Sequence, residues 1–353
     1  MSMLSRFRFN RMAGSASRRR AFSTAATAAT AATAASAGAL IALVALPPSD
    51  AIAQPAFPAK PVRLVVPVGP GGGYDFIARL MGARLGEALG QPFLVENRPG
   101  ANGNIGSELV ARSTPDGYTI LMGGIGPQAL SVGLYPNLPF DPIRDFDAIS
   151  LVAVQPNLLA VHASVPVKSL KEFIAFAKAR PGQIAYASNG SGSPQHLAAE
   201  QLKLLTGIDI VHVPFKGAGP ALTALLSGEV SVAFNVIISP IPHVRTGKLR
   251  ALGLASERRS SIAPEVPTMT ELGFPISIDT WYGLYGPAGI PKEALARLST
   301  ESVRIAGLAD VREKASSQGI EMIGGDAARL AAFTRSEIAR WSKVIKQAKL
   351  TVD

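Results

Sequence analysis

The sequence predicts an α/β protein of two domains, and three observations carry that reading. Short β-branched runs alternate with helical segments along most of the chain. Glycine-rich loops follow several of the strands, and the alternation restarts after Ile149 as a second domain would. At 353 residues, with 47% hydrophobic and 17% charged residues, the chain is long enough for two cores and too apolar to be disordered.

The first strand is Val62-Arg63-Leu64-Val65-Val66, and it runs into the loop Pro67-Val68-Gly69-Pro70-Gly71-Gly72-Gly73. The helix that follows places Ile77, Leu80, Met81, Leu85, Ala88 and Leu89 on one face and ends at Gly90 and Pro92. Phe93-Leu94-Val95 is the next strand, followed by the loop Arg98 to Gly106, a short helix from Glu108 to Arg112 and a turn at Pro115-Asp116-Gly117. Thr119 to Met122 is a third strand, ending at Gly123-Gly124. In the second half, Leu158 to His162 reads as a strand, Leu170 to Ala179 as a helix, and Ile184 to Ala187 as a strand leading into Ser188-Asn189-Gly190-Ser191-Gly192-Ser193-Pro194. Ser193 as N-cap and Pro194 in the first helical position start the next helix, with Ala198, Leu202 and Leu205 inward and Gly207 at its end. Strands at 210–213 and 230–235 flank a helix at 220–226. From Pro291 onward the pattern is helical, with a last amphipathic helix through Trp341 and Ile345. Strands alternating with helices predict parallel sheets, and C-terminal helices that return to the first domain.

The first fifty residues follow a different logic. Arg6, Arg8, Arg11 and the run Arg18-Arg19-Arg20 precede an Ala/Thr/Ser stretch, a short apolar core from Leu40 to Leu46, and Ala51-Ile52-Ala53. That order reads as an export signal cleaved after Ala53, by either the Sec route or the twin-arginine route that Arg19-Arg20-Ala21-Phe22 suggests. The apolar core is far short of the roughly 20 residues a membrane span needs. Removing residues 1–53 takes six arginines against the single acid Asp50 and halves the net charge of +10. A nucleic-acid partner then loses its support, and a periplasmic location is expected. The chain has no cysteine, which excludes thiolate chemistry, iron–sulfur clusters, disulfides and lipid attachment through that residue.

Three glycine loops at strand ends, two of them directly before helices, suit the capture of a small anion by backbone N–H groups. Ser191, Ser193 and Asn102 would add side-chain contacts, although any single loop also reads as a tight turn. Phosphate is disfavoured, because no Gly-Lys-Ser/Thr follows Gly73 or Gly192 and neither loop completes G-x-G-x-x-G. No G-x-S-x-G, no Ser-x-x-Lys and no H-E-x-x-H is present, and His162, His196, His212 and His243 lack metal-ligand spacing. His196 reaches the cleft or holds its own loop by a hydrogen bond. Lys216 pairs with an anionic ligand or is a solvated surface lysine, and Trp281 and Tyr282 wall the cleft or belong to the core. With no nucleophile or acid–base pair, the residues read as those of a binder that needs no cofactor and no metal, not an enzyme.

Several stretches, in this order along the chain, then resemble a known family. They are Pro70-Gly71-Gly72-Gly73-Tyr74-Asp75 with Ala78-Arg79, Glu96 to Gly103, Ser188 to Leu197, Val213-Pro214-Phe215-Lys216-Gly217, Pro267-Thr268 with Glu271-Leu272-Gly273, Trp281-Tyr282-Gly283-Leu284, and Pro287-Ala288-Gly289. Over residues 58–353 the chain resembles the periplasmic substrate-binding receptors of tripartite tricarboxylate transporters, the Bug family. The resemblance implies a type II periplasmic-binding-protein fold, two α/β domains with a ligand cleft between them. Domain 1 would be 54–155 plus 278–353, and domain 2 would be 156–277. It implies as ligand a small carboxylate: a di- or tricarboxylate, an acidic amino acid or an aromatic acid. The ligand-binding positions it implies are Gly71, Gly72, Tyr74, Asp75, Asn102, Gly103, Ser188, Asn189, Ser191 and Ser193, which Lys216 would join. The implied partners are one small and one large integral membrane subunit of the transporter, with the receptor itself a monomer. A sensor feeding a histidine-kinase ectodomain is the alternative. Two positions depart from the pattern: Tyr74 stands where relatives often have a small hydroxyl residue, and Phe215 where tyrosine is frequent.

Overall fold

A computed structural model describes residues 57–348 and Leu350. The export-signal reading falls on residues 1–53 and lies outside the described residues. Among the described residues, no helix is long and apolar enough to cross a membrane.

The strands, in chain order, are β1 (Val62–Val66), β2 (Phe93–Asn97), β3 (Thr119–Gly124), β4 (Phe146–Gln155), β5 (Asn157–His162), β6 (Ala185–Ser188), β7 (Val211–Pro214), β8 (Val232–Val236), β9 (Leu249–Ala255), β10 (Thr280–Pro287) and β11 (Glu321–Gly325). The helices are α1 (Gly73–Leu89), α2 (Asn104–Ala111), α3 (Ser131–Leu134), α4 (Leu170–Lys178), α5 (Pro194–Thr206), α6 (Ala218–Ser227), α7 (Ile241–Arg245), α8 (Lys292–Ala306), α9 (Ala309–Ser317) and α10 (Ala327–Ala348). One sheet has six strands in the order β11-β4-β10-β3-β1-β2, and the other has five in the order β7-β6-β8-β5-β9.

Both sheets are mixed rather than parallel. β1 pairs in parallel with β2 and β3, and β6 with β7 and β8, where strand–helix–strand crossovers operate. The rest is antiparallel, because the chain passes directly from sheet to sheet. β4 leaves the first sheet at Gln155 and, with Pro156 between, becomes β5 of the second. β10 brings the chain back and runs antiparallel to β3 and β4, while β5 runs antiparallel to β8 and β9. A strand entering from the neighbouring sheet arrives against the local direction.

Side chains alternate across each sheet, so β1 sends Val62, Leu64 and Val66 towards Ile77, Met81 and Leu85 of α1, and Val65 towards Val110 of α2. Below the second sheet, Phe173 of α4 and Leu197 and Leu202 of α5 pack in one cluster with Tyr186 and Phe234. Ala221 and Leu225 of α6 cover the other face with Ala187 and Ala233. At about 25 cal/mol per Å² of apolar surface, each such leucine or phenylalanine contributes roughly 1.5–3 kcal/mol. Two helix-face expectations need correction. Ala88 is exposed and Leu205 is 50% exposed, because the inward face of each helix continues at the fourth residue, from Leu85 to Leu89 and from Leu202 to Thr206, and not at the third. Trp281 is core: it and Trp341 of α10 are each 1% exposed, and both indoles donate to Glu337 Oε2, at 3.1 and 2.9 Å.

Where the chain returns to the first sheet, Asp279 precedes β10, and its Oδ1 is buried without a partner. Burial raises this carboxyl from its usual 3.8 to about 7; Glu257 adds to the rise and Arg340 opposes it. An acid raised in the fold stabilises fully below the value it has when unfolded, and that stability is lost as pH climbs through the folded value. Asp279→Asn keeps the shape without the charge. It should leave the melting temperature nearly unchanged at pH 4 and raise it by a few degrees at pH 8; an equal effect at both values would contradict this account.

Candidate functional site

A cavity of about 580 Å³ lies between the loops at the ends of the two sheets, within the range of small-molecule sites. Its wall collects the N-termini of four helices: Gly72 to Tyr74 at α1, Gly103 at α2, Ser193 to Gln195 at α5, and Gly217 and Ala218 at α6. Each carries about half a positive charge from the aligned peptide dipoles, and those of α1, α2 and α6 have no side-chain cap on their first N–H groups. Among the described residues, Lys216 is the one charged side chain on this wall, and no carboxylate stands there. Pro67, Val68, Pro99, Pro127, Phe215 and Val236 supply apolar surface.

The first loop is braced from outside. Asp75 accepts from the Gly71 amide at 3.2 Å and from Arg79 Nε at 3.1 Å, while Arg79 reaches Asn97 and Asn97 reaches the Val68 carbonyl. Burial alone would raise the Asp75 carboxyl, but the Arg79 and Gly71 donors outweigh it and hold it below the usual range. Beyond Gly72, the backbone must admit two tyrosines. The Tyr74 and Tyr282 rings meet edge to face at 4.8 Å and 89°, and the Tyr282 hydroxyl donates to Gln155 Oε1 at 2.5 Å. A Cβ on Gly73 would collide with both the Tyr282 hydroxyl and Gln155. Burial pushes both phenols well above their usual range, so they stay neutral.

The second loop is conformationally strained. Gly100, Ala101, Asn102 and Gly103 have φ of 135°, 46°, 55° and 91°, four successive residues in a region that L side chains rarely occupy. This turn aims Asn102 across the cavity, where its Nδ2 donates to the Gly192 carbonyl at 3.0 Å. In the third loop, Ser193 caps α5, its hydroxyl accepting from the His196 amide at 3.3 Å, as its position before Pro194 predicts. Beneath the cavity-lining Gln195 and Thr280, Asn157 donates to the Ile278 carbonyl at 2.6 Å and to Thr280 Oγ1 at 3.2 Å, and accepts from Gln195 Nε2 at 2.5 Å.

Of the positions named from sequence, Gly72, Tyr74, Asn102, Gly103, Asn189, Ser191, Ser193 and Lys216 lie on the cavity wall. Gly71, Asp75 and Ser188 lie behind it: the first two brace one another, and Ser188 bonds Gly190 and His212. His196 also stands behind the wall and holds its loop, its Nδ1 accepting from the Gly192 amide at 3.1 Å. Tyr282 walls the cavity, although Trp281 beside it points into the core. Sequence reasoning missed Tyr135, Gln195 and Thr280. Pro127 and Tyr135 follow Gly123-Gly124, a strand-end signal that was visible, whereas nothing local marks Thr280.

Comparison with known proteins agrees with this architecture. The profile described as "Tripartite tricarboxylate transporter family receptor" matches residues 77–350. Protein BugT of Bordetella pertussis is 35% identical over 298 residues, covering 84% of this chain and 91% of BugT. Among solved structures, R. palustris Rpa4515 with adipate is 35% identical with a TM-score of 0.81, covering 84% of this chain and all of the other. MatC (Rpa3494) from Rhodopseudomonas palustris, with bound malate, is 34% identical with a TM-score of 0.77, covering 82% of this chain and all of the other. The chain therefore has the fold of the periplasmic binding proteins and belongs to the tripartite tricarboxylate transporter receptor family.

Proposed function

We propose that this chain is a periplasmic receptor that captures a small organic carboxylate between its two sheets and delivers it to the small and large membrane subunits of a tripartite transporter. The observation that carries the reading is the convergence of four helix N-termini and Lys216 on one cavity with no carboxylate on its wall. An anion there gains several charge-assisted bonds at once, each about 1.5–3 kcal/mol. We take the domains to be 54–155 plus 278–353 and 156–277, hinged where the chain crosses at Gln155–Asn157 and Ile278–Thr280, and the receptor to act as a monomer. Closure of such domains is the signal a membrane partner reads. Adipate and malate, present in the two related structures, are the first candidates for this cavity. Capture without turnover is supported by a wall whose side chains include neither an acid–base pair nor an activated nucleophile.

A thermal-shift screen of refolded, ligand-stripped protein against adipate, malate and other small acids tests this. A ligand of the folded form alone stabilises by RT ln(1 + [L]/Kd), about 2.7 kcal/mol at a hundredfold excess over Kd. A clear shift is expected for a subset of acids, and none with any acid would overturn the reading. For whichever acid gives the shift, calorimetry should find affinity reduced about tenfold by Asn102→Ala, which removes the bond to Gly192. Lys216→Met should reduce it several-fold, since the lysine is exposed and partly screened. Unchanged affinity in both variants would move the site elsewhere.

A further inference from the structure

Two imidazoles fasten the serine–glycine loop from behind. The rings of His196, in the first turn of α5, and His212, in β7, stack with centroids 4.0 Å and planes 7° apart. Tyr186 of β6 stacks on His212 at 4.9 Å and 23°. Each imidazole holds a different part of the loop. Because the Gly192 amide donates to His196 Nδ1, that nitrogen carries no proton, and the ring is neutral with its hydrogen on Nε2. His212 Nε2 lies 2.7 Å from Ser188 Oγ, and the same hydroxyl bonds the Gly190 carbonyl and amide at 3.1 and 3.2 Å. Gly192 in turn accepts from Asn102 across the cavity, so a continuous line of contacts joins the imidazoles to the opposite wall.

The surroundings favour the neutral rings. Glu200 Oε1 is 4.0 Å from His196 Nε2, but it already accepts from the Tyr186 hydroxyl at 2.8 Å and from Lys203 Nζ at 2.9 Å. Burial lowers His196 below the usual histidine range, with Glu200 opposing and Lys203 assisting. Burial, and then the His196 ring, push His212 down to about 4. Stability held by neutral rings of this kind is complete above pH 6.5 and is lost as pH falls towards the folded values. Two cations stacked 4.0 Å apart would repel strongly in such a site, so the protons enter in two separate steps, and the charge on His196 holds the second back.

We propose that His196 and His212 form a proton-sensitive clamp that positions residues 188–193 for ligand capture, and that protonation of the pair frees Gly192 and with it the Asn102 contact across the cavity. A proton on His196 Nδ1 would turn an acceptor into a donor facing the Gly192 N–H, and that contact must break. The part concerning capture rests on the carboxylate-receptor reading; the part concerning the loop does not.

Nuclear magnetic resonance of the ligand-free protein, titrated from pH 7.5 to 4, tests the loop first. The His196 ring should appear as the Nε2–H form, both rings should protonate below the usual histidine range, and the Gly192 amide should shift with the step that protonates His196. A Gly192 signal that ignores the titration of the pair would overturn the clamp. His196→Asn puts an amide oxygen near the Nδ1 position, so the Gly192 signal should keep its place and lose its pH response. His196→Phe keeps the stack without the acceptor and should displace that signal already at pH 7.5. The second arm measures adipate affinity of the unsubstituted protein relative to His196→Asn at pH 7.5 and at pH 4, so that the ionisation of adipate itself cancels. The ratio should fall at least threefold at the lower pH, and a constant ratio would overturn the role in capture. Adipate binding by neither protein would count against the receptor reading for this acid, leaving the clamp to be decided by the resonance titration.

Discussion

Asn157 is the constraint on which the rest of the molecule depends. It has no solvent exposure and sits just after Pro156, where the chain passes between sheets. Its amide ties the outgoing strand to the returning one at Ile278 and Thr280, and its oxygen takes the Gln195 amide from the first turn of α5. One side chain thus fixes both crossings and the start of the helix that closes the cavity floor. Replacing it with an apolar residue would leave Gln195 and the Ile278 carbonyl buried without partners, at about 1–3 kcal/mol each. The mixed pairing of both sheets follows from the crossings that Asn157 holds together.

The electrostatics of the cavity are built almost entirely from backbone. Four helices begin at the wall, and among them only α5 has a side-chain N-cap: the caps of α1, α2 and α6 are Gly72, Gly103 and Gly217, which make no side-chain bond to the first turn. Donors left free in this way remain for a ligand to satisfy. The side chains that matter most act one step back. Asp75 stiffens the first loop, the imidazole pair holds the third, and the positive φ values at residues 100–103 aim Asn102 inward.

Much of this was legible in the sequence because it is local. Strand–glycine–helix junctions announce themselves within a few residues, and Ser193-Pro194 marks the start of α5 without tertiary information. The resemblance of the glycine loops then pointed to residues of which most line the cavity. What local reading could not supply was direction. Asp75, in the first turn of α1, and Ser188, at the end of β6, border loops at the site, yet their side chains turn away from it, and only the positions of Arg79 and His212 explain why. Thr280 reaches the floor because β10 returns beside β4, a pairing between residues more than a hundred positions apart. The parallel sheets expected from alternation failed for the same reason, since the crossings are not written in periodicity.

The shared acceptor at Glu337 has an optical consequence. The chain contains two tryptophans, and both are buried and bonded to the same carboxylate oxygen, where α10 meets β10. Tryptophan fluorescence therefore comes from a single spot, with no contribution from solvated indoles. Trp281 is the chain neighbour of Tyr282, whose ring lines the cavity, but neither indole does. A change in emission on adding a ligand would report movement of the returning strand rather than contact, making the indole pair a built-in gauge of the closure proposed above.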